Sequence, residues 1–193
     1  MCGVKTCNLS CRRKKVANLE ALRECHVLDT PPEELFDQTA RLAAYLCGTI
    51  GLIGFIDATR QWFKSRVGWD YPEIPREHSI CGQTLLQPEL LMTSDPAMDE
   101  QFFNGPMVTR AGIRFYAGAP LLTKEGYALG TLCVMDRLPR ELPAGHKDAL
   151  LTLAHLVAAQ LEVRRGTRAS SGSVDGKPSR IEGTVARPNS CQI

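Results

Sequence analysis

Hydrophobic positions between residues 17 and 165 recur at two spacings, one typical of helices and one typical of strands. A short helix is predicted over residues 18–26, where Leu19 and Leu22 stand three positions apart. A longer amphipathic helix is predicted over residues 144–165, because its apolar side chains follow a helical period: Leu150, Leu153, Ala154, Val157 and Leu161. Helices are therefore expected near both ends of the patterned region.

A further helix carries start and stop signals of its own. Thr30 precedes Glu33 by three positions, as in a capping box, and Pro31 stands at the first helical position. Gly48 suits the left-handed residue that ends a helix. Apolar side chains on two stripes imply that this helix packs against a sheet: Leu35, Leu42 and Leu46 with Thr39, and Phe36, Ala43 and Cys47.

The strand-like segments alternate with turns. Residues 49–56 are apolar on both faces, which predicts a central strand covered on each side. The next predicted strand has Trp62, Lys64 and Arg66 on one face and the residues between them on the other. The remaining predicted strands are residues 90–93 and a hairpin of residues 114–122 and 127–135. Gly118 and Gly130 within this hairpin indicate close approach of another backbone or a ligand.

These elements predict an α+β fold. Helices from both ends of the chain would pack on an antiparallel sheet of five or six strands. A length of 193 residues with 44% hydrophobic and 23% charged positions is typical of one soluble domain. No uncharged apolar run reaches the length that spans a bilayer, and no secretory signal is evident, so a cytoplasmic protein is expected.

Charge and composition set the ends of the chain apart. Residues 1–16 hold five basic side chains and no acid, which predicts a basic disordered leader. Residues 166–193 have no aromatic residue and are rich in Gly, Ser, Pro and Arg, which predicts a disordered tail. The domain would be residues 17–165, which hold nineteen acidic and fourteen basic side chains. An acidic body disfavours nucleic acid as a partner.

The eight cysteines follow no disulfide framework and form no CxxC pair, so reduced thiols are expected. Cys2, Cys7 and Cys11 are too loosely spaced for a zinc site, and no metal site is expected elsewhere. The same cysteines precede the basic run 12–15. Lipidated cysteines and this basic run together could anchor the chain to an anionic membrane. A solvated leader is the favoured interpretation, so a membrane is not an expected partner.

Five phrases in order resemble the GAF sensor domains that often precede bacterial histidine kinase or diguanylate cyclase modules. They stand at residues 28–33 (LDTPPE), 60–65 (RQWFKS), 76–81 (REHSIC), 112–121 (GIRFYAGAPL) and 130–136 (GTLCVMD). The resemblance implies helices on one face of the sheet and, on the other, a small-molecule pocket closed by loops and short helices around residues 76–112. It also implies a homodimer through the terminal helices and an output through a separate kinase or cyclase.

The resemblance and the strand pattern together suggest a set of ligand-binding residues: Phe63, His78, Ser79, Cys81, Asp95, Phe103, Arg114, Tyr116 and Cys133. Arg114 and Tyr116 share one strand face, where a guanidinium and a phenol could orient an anionic or carbonyl ligand. Alternatively, Arg114 pairs with an acid such as Asp95 or Asp99 and fixes a loop. His78 and Ser79 have no acid at a spacing that makes a triad, so a structural role is favoured for both.

The first functional hypothesis is a non-catalytic sensor of an unidentified small molecule, with no cofactor named. A cyclic nucleotide stays possible, whereas bilin is not expected because Cys25-His26 lies ahead of the sheet. The alternative is a thiol enzyme that reduces free methionine-R-sulfoxide, since Ile80-Cys81-Gly82 resembles that enzyme's Val-Cys-Gly. The positions of its partner cysteines hold Tyr71 and Gly105, which disfavours the reductase. A third possibility is a scaffold with a filled pocket.

Overall fold

A six-stranded antiparallel sheet with three helices on one face forms the centre of the protein in a computed structural model, which describes residues 9–171. The helices are α1 Leu9–Cys25, α2 Glu34–Cys47, α3 Cys81–Thr84, α4 Pro106–Thr109 and α5 Ala144–Ser171. The strands are β1 Ile50–Ile56, β2 Arg60–Val67, β3 Glu73–Pro75, β4 Leu91–Thr93, β5 Phe115–Leu122 and β6 Ala128–Asp136, in the sheet order β3-β2-β1-β6-β5-β4. The α+β prediction is confirmed.

The helical face of the sheet buries the larger apolar cluster. Helices α1, α2 and α5 pack there, and the apolar stripe predicted for α5 is buried from Leu150 to Leu161. The α1 helix is tied to the sheet by its one buried amide, because Asn18 Oδ1 accepts a hydrogen bond from the Ala128 backbone N–H at 3.1 Å. Both terminal helices therefore lie on this face, as predicted.

Helix α2 begins later than its capping signal predicts. Its N-cap is Glu33, whose side chain makes no capping hydrogen bond, and the Thr30 hydroxyl donates to the Val27 carbonyl instead. The predicted capping box is wrong because the Glu33 carboxylate is engaged by Lys64 and Arg164. The C-terminal end at Gly48 is confirmed, with the glycine in the left-handed conformation.

The buried face of α2 is also narrower than predicted. Phe36, Ala43 and Cys47 are buried, whereas Leu35 and Leu42 are 43% and 45% exposed. Small side chains let the helix lie close to β1, where a Cβ on Gly51 would meet the Ala40 carbonyl oxygen and the Ala44 side chain. The close approach leaves Leu35 and Leu42 facing outward, whereas Leu46 of the same stripe packs against the core.

The terminal helices extend beyond the predicted domain boundaries. Helix α1 begins at Leu9, so residues 9–16 of the predicted disordered leader are helical. Arginine and lysine are good helix formers, and an exposed helical turn needs no apolar periodicity. Helix α5 continues to Ser171, six residues into the predicted tail. Residues 1–8 and 172–193 of these two predicted segments lie outside the described residues.

A β-bulge in β2 changes which face its side chains occupy. The β1 register passes from Ile53 opposite Ser65 to Gly54 opposite Phe63, which leaves Lys64 as the extra residue. A bulge re-aims the side chains on either side of it. Lys64 and Ser65 consequently both contact the α2 region, so the predicted strict alternation along this strand is wrong.

The second face of the sheet is covered by the segment between β2 and β5. Short helices α3 and α4 and two 3-10 turns, Arg76–His78 and Pro96–Met98, make up this cover, while β3 and β4 from the same segment form the two edges of the sheet. A second apolar cluster is buried beneath it, with Tyr116 and Cys133 from the sheet and Cys81 and Leu85 from the cover. The predicted position of the loop-covered face around residues 76–112 is confirmed.

Candidate functional site

Seven side chains with polar or thiol groups are gathered beneath α3, on the loop-covered face of the sheet. The sheet contributes four of them, the cover contributes three, and we call the set the polar cluster: Gln61, Tyr116, Thr131, Cys133, Ser79, Cys81 and Thr84. Five of the nine residues suggested as ligand-binding lie elsewhere or on its border. The cluster is embedded in apolar side chains, so each polar atom needs a partner within it.

Tyr116 is held inside the protein by a hydrogen bond to α3. Its side chain is fully buried, and its hydroxyl shares a 2.7 Å hydrogen bond with Thr84 Oγ1 of α3. Burial raises the pKa of Tyr116 well above its usual value, with the neighbouring cysteines adding to the effect. The phenol therefore acts as a neutral clamp between β5 and α3.

The thiols of Cys81 and Cys133 are in contact, with 3.6 Å between the two sulfur atoms. Burial by itself raises the pKa of Cys81, but the neighbouring polar groups of Cys133, Thr131, Tyr116 and Gln61 favour its thiolate, outweigh the burial and lower the pKa below the usual value. The pKa of Cys133 is raised well above its usual value, because it donates to Cys81 and is itself buried. Of the two sulfurs, Cys81 is the one prepared to carry a negative charge.

Two buried donors of the polar cluster lack a partner among the described residues. They are Thr131 Oγ1 and Gln61 Nε2, both on the loop-covered face of the sheet. The other end of the Gln61 amide is occupied, because its Oε1 accepts a hydrogen bond from the Ser79 hydroxyl. A buried donor without a partner costs folding free energy. The binding or formation of an acceptor next to these two groups would therefore be favourable.

A surface pocket of about 280 Å³ adjoins the polar cluster at Ser79. Its walls come from α1, the β1–β2 turn and the chain that runs from the 3-10 turn at Arg76 through α3: Lys15, Ala58, Arg76, Glu77, Ser79, Gly82, Gln83 and Leu86. Arg76 is held in place because its guanidinium donates to the Asp57 carbonyl oxygen. The pocket thus combines two basic groups, one acid and several neutral hydrogen-bonding groups.

Arg114 and Asp95 form an ion pair at the other side of the cover. The guanidinium donates to both carboxylate oxygens, at 2.7 and 2.5 Å, and the same carboxylate caps the Pro96–Met98 turn by accepting from the Ala97 N–H. The Arg114 guanidinium holds the pKa of Asp95 below its usual value. The arrangement matches the interpretation in which Arg114 fixes a loop.

The remaining suggested residues are scattered. Phe63 is buried in the apolar cluster against Trp69, Phe103 is 46% exposed, and His78 is half-buried in the 3-10 turn beside Ser79. The structure therefore brings together Ser79, Cys81, Tyr116 and Cys133 but separates them from Arg114, Asp95 and Phe103. Sequence reasoning missed Gln61, Thr84 and Thr131. Gln61 and Thr131 each stand two positions before a suggested site residue, Phe63 and Cys133, so strand alternation is the signal that could have found them.

Sequence reasoning also missed a buried lysine on the helical face. The Lys64 side chain is fully enclosed, and its ammonium donates to Thr30 Oγ1, the Pro31 carbonyl oxygen and Glu33 Oε1 at 2.6 to 2.7 Å. The ring of Phe36 lies 5.3 Å from the ammonium. With three acceptors, the group is fully bonded and serves the fold rather than a ligand.

Two negative findings apply to the described part of the chain. Within residues 9–171, no group of three or more potential metal-ligating side chains is found. None of the helices in that range combines the length and the hydropathy that crossing a bilayer requires.

Comparison with known proteins finds a relative by sequence. The chain is 38% identical over 144 residues to a Pseudomonas aeruginosa protein named cyclic di-GMP phosphodiesterase PA2567. The match covers 73% of this chain and 24% of the relative, so the chain spans about a quarter of that protein's length.

Solved structures share the fold at low sequence identity. The GAF domain of Thermosynechococcus elongatus PixJ aligns with a TM-score of 0.58 at 17% identity, covering 81% of this chain and 95% of that one. Free methionine-R-sulfoxide reductase from Neisseria meningitidis, solved with its substrate, aligns with a TM-score of 0.57 at 17% identity, covering 80% and 93%. A family model described as GAF domain matches residues 31–164. The chain therefore belongs to the GAF domain family.

Proposed function

We propose that this chain is a sensor of a small molecule in signal transduction and acts by binding rather than by catalysis. The observation that supports this most directly is the 280 Å³ pocket and its connection through Ser79 to Gln61. A ligand that bonds to the Ser79 hydroxyl changes the partner of a buried amide, whose nitrogen is unpaired. Binding at the surface is thereby linked to the buried polar cluster.

The lining of the pocket limits the kind of ligand. Lys15 and Arg76 provide two positive charges against the one negative charge of Glu77, which favours a ligand with an anionic group. The volume is just below the usual range for ligand pockets, so a single metabolite or mononucleotide fits better than a dinucleotide. Gln83 and Ser79 supply the neutral hydrogen bonds that give such a site its specificity.

Native mass spectrometry of the freshly purified full chain tests this proposal, followed by calorimetric titration with cyclic AMP, cyclic GMP and a series of small carboxylates. We expect one of these probes, or a co-purifying molecule, to bind with 1:1 stoichiometry. Ser79→Ala should weaken binding at least about tenfold, the equivalent of one hydrogen bond to a charged group. Ser65→Ala is the matched control, because the Ser65 hydroxyl donates to Asp37 on the helical face. No co-purifying molecule and no binding up to about 1 mM of any probe would overturn the proposal.

The output of such a sensor is expected to be an enzyme of nucleotide signalling or a kinase. The support is the Pseudomonas aeruginosa relative, which is named a cyclic di-GMP phosphodiesterase and of which this chain matches only a quarter. We expect a phosphodiesterase, cyclase or kinase, on the same or another chain, to respond to ligand binding here. Cellular cyclic di-GMP measured with the wild-type chain and with Ser79→Ala tests this link, and equal levels would contradict it.

One observation favours a second candidate, a thiol-dependent reductase of free methionine-R-sulfoxide. The reductase was disfavoured because residues 71 and 105 are not cysteines. The structure places another thiol, that of Cys133, beside Cys81. Both cysteines are buried in the polar cluster, however, with no described opening that a substrate the size of methionine sulfoxide fits. Turnover of methionine-R-sulfoxide with dithiothreitol as reductant, lost in Cys81→Ser, would establish this activity in place of the sensor.

A further inference from the structure

The Cys81 and Cys133 sulfurs are closer to bonding distance than their places in the sequence suggest. The residues are 52 positions apart, yet the sulfurs are 3.6 Å from each other. A disulfide has a sulfur–sulfur distance near 2.05 Å, so closure requires the two atoms to approach by about 1.5 Å. Cys81 stands at the start of the four-residue helix α3, which has little structure of its own to resist such a movement.

The surroundings of the pair favour reaction at Cys81. The thiolate is the reactive form of cysteine, and the neighbouring polar groups of Cys133, Thr131, Tyr116 and Gln61 favour the thiolate at Cys81. Two of these groups, Thr131 Oγ1 and Gln61 Nε2, have no other partner among the described residues. The other buried cysteines of the described chain, Cys25 and Cys47, have raised pKa values because burial disfavours their thiolates.

We propose that Cys81 and Cys133 form a redox-active pair that a hydroperoxide converts into a reversible intramolecular disulfide. The Cys81 thiolate attacks one peroxide oxygen, which cleaves the O–O bond, gives a sulfenic acid and releases hydroxide or alkoxide. The Cys133 thiol then attacks the Cys81 sulfur, its proton leaves with the displaced hydroxyl group as water, and the S–S bond forms. The two thiols lose two electrons and the peroxide gains two, and a dithiol reductant restores the starting state.

The oxidant reaches the pair when α3 opens. Two side-chain hydrogen bonds join this part of the cover to the sheet, Ser79 to Gln61 and Thr84 to Tyr116. Short segments fixed by few contacts open at low free-energy cost. Hydrogen peroxide needs only a small opening of the cover to reach the two sulfurs. Larger hydroperoxides need a wider opening and should therefore react more slowly.

The disulfide would tie α3 to β6. Ser79, Gly82 and Gln83, which line the 280 Å³ pocket, precede or belong to α3. Oxidation would therefore fix one wall of the pocket and change its affinity, an effect that rests on the proposed sensor function. Formation of the disulfide itself requires no ligand, so its failure and the failure of the sensor proposal are separate results.

Peptide mapping of the full chain tests the disulfide. The reduced protein is treated with hydrogen peroxide, unfolded in an alkylating agent and cut with trypsin without reduction. Cleavage after Arg76, Arg110, Lys124 and Arg137 places Cys81 in peptide 77–110 and Cys133 in peptide 125–137. We expect these two peptides joined, 2 Da lighter than their sum, and separated again by dithiothreitol. The proposal is overturned if Cys81 and Cys133 are both found alkylated after a hydrogen peroxide treatment that oxidises the other cysteines.

Two variants separate the pair from general thiol oxidation. In Cys133→Ser the reaction should stop at the sulfenic acid, which dimedone then traps at Cys81. The matched control Cys47→Ala removes a buried cysteine on the helical face and should form the 77–110 to 125–137 link as fast as the wild-type chain. Should Cys133→Ser not fold, the wild-type map and the Cys47→Ala control decide the question, and a link of Cys81 to any other cysteine contradicts the proposal.

Discussion

The fully enclosed ammonium of Lys64 lies 2.7 Å from the Glu33 carboxylate, which also accepts a hydrogen bond from Arg164 of α5. One carboxylate thereby joins the bulge of β2, the entry to α2 and the C-terminal helix. Burying an ammonium is costly unless acceptors surround it, and Glu33 is the charged one of its three acceptors. The Glu33 carboxylate therefore stabilises the packing of α2 and α5 on the helical face of the sheet.

Glu33→Gln should destabilise the protein by about 2 kcal/mol. This is less than the roughly 3–5 kcal/mol for breaking a fully buried ion pair, because Glu33 is partly exposed and Lys64 keeps two neutral acceptors. Urea unfolding measures the change. Glu24→Gln is the matched control, since Glu24 pairs with Arg165 at the surface and should change the free energy of unfolding by less than about 0.5 kcal/mol. Equal effects of the two variants would contradict this assignment.

The difference between wild type and Glu33→Gln should vanish in acid. Burial raises the pKa of Glu33, but the Arg164 and Lys64 hydrogen bonds outweigh it and lower the pKa below its ordinary 4.5. A lowered folded-state pKa gives stability that is complete above the ordinary value and lost as the pH falls through the folded one. Urea unfolding of both chains between pH 7 and about pH 3 measures the difference between their free energies of unfolding. This difference should begin to shrink only below about pH 4.5. A difference that stays constant to about pH 3 would refute this account.

Local patterns in the sequence predicted most of the fold, and long-range contacts account for the errors. Strand alternation and the stripe of α5 depend on neighbours a few residues apart, so they are readable along the chain. The capping box at Thr30 failed because Glu33 bonds to Lys64, 31 residues away, and to Arg164, 131 residues away. The bulge at Lys64, which moves Ser65 to the helical face, has no signal in the local pattern.

The candidate site was predictable only in part, for the same reason. The phrases that resemble GAF domains supplied Ser79, Cys81, Tyr116 and Cys133 as single residues, but their grouping depends on the path of the cover over the sheet. The phrases at residues 28–33 and 60–65 prove to be joined by Lys64, and those at 76–81 and 130–136 by the two cysteines. The phrases that resemble the family therefore include residues that hold distant parts of the chain together, as well as residues of the candidate site.

Thr84→Val should cost about 1–3 kcal/mol although valine has nearly the same shape. The Tyr116 hydroxyl would then be buried without its 2.7 Å partner, and an unpaired buried polar group carries that penalty. Tyr116→Phe in the Thr84→Val background should recover part of the loss, which a double-mutant cycle in urea measures. Thr152→Val is the control, because its hydroxyl bonds to Asp148 at the surface. Strictly additive single effects would show that the two hydroxyls do not stabilise each other.

Gly130→Ala should destabilise the protein more than any other substitution considered above. A Cβ at this position would overlap the Gly54 carbonyl oxygen of the neighbouring strand β1. Backbone cannot move aside as a flexible side chain can, so we expect a loss of at least about 3 kcal/mol or failure to fold. Gly145→Ala, at the start of α5 with no atom within 4 Å of the added Cβ, should be neutral or stabilising by up to about 1 kcal/mol. Thermal melting of both chains tests the pair, and similar melting temperatures would contradict the prediction.

Dimerisation through the terminal helices remains a prediction, and the exposed side chains of α5 decide which substitution tests it. Leu151 packs against the core and Ala158 is buried, so neither offers a surface to a second copy. Leu156 and Val163, seven positions apart on α5, are 60% and 61% exposed.

A two-fold axis along α5 would cover Leu156 and Val163, and we expect a dissociation constant near the micromolar range, roughly 8 kcal/mol. Sedimentation across concentration should show dimers for the wild-type chain and monomers for Leu156→Glu. His155→Glu, which places the same charge next to Leu156 on another face of the helix, controls for the charge itself. A wild-type chain that stays monomeric at about 100 μM rules out this interface, because dimers would dominate there at micromolar affinity.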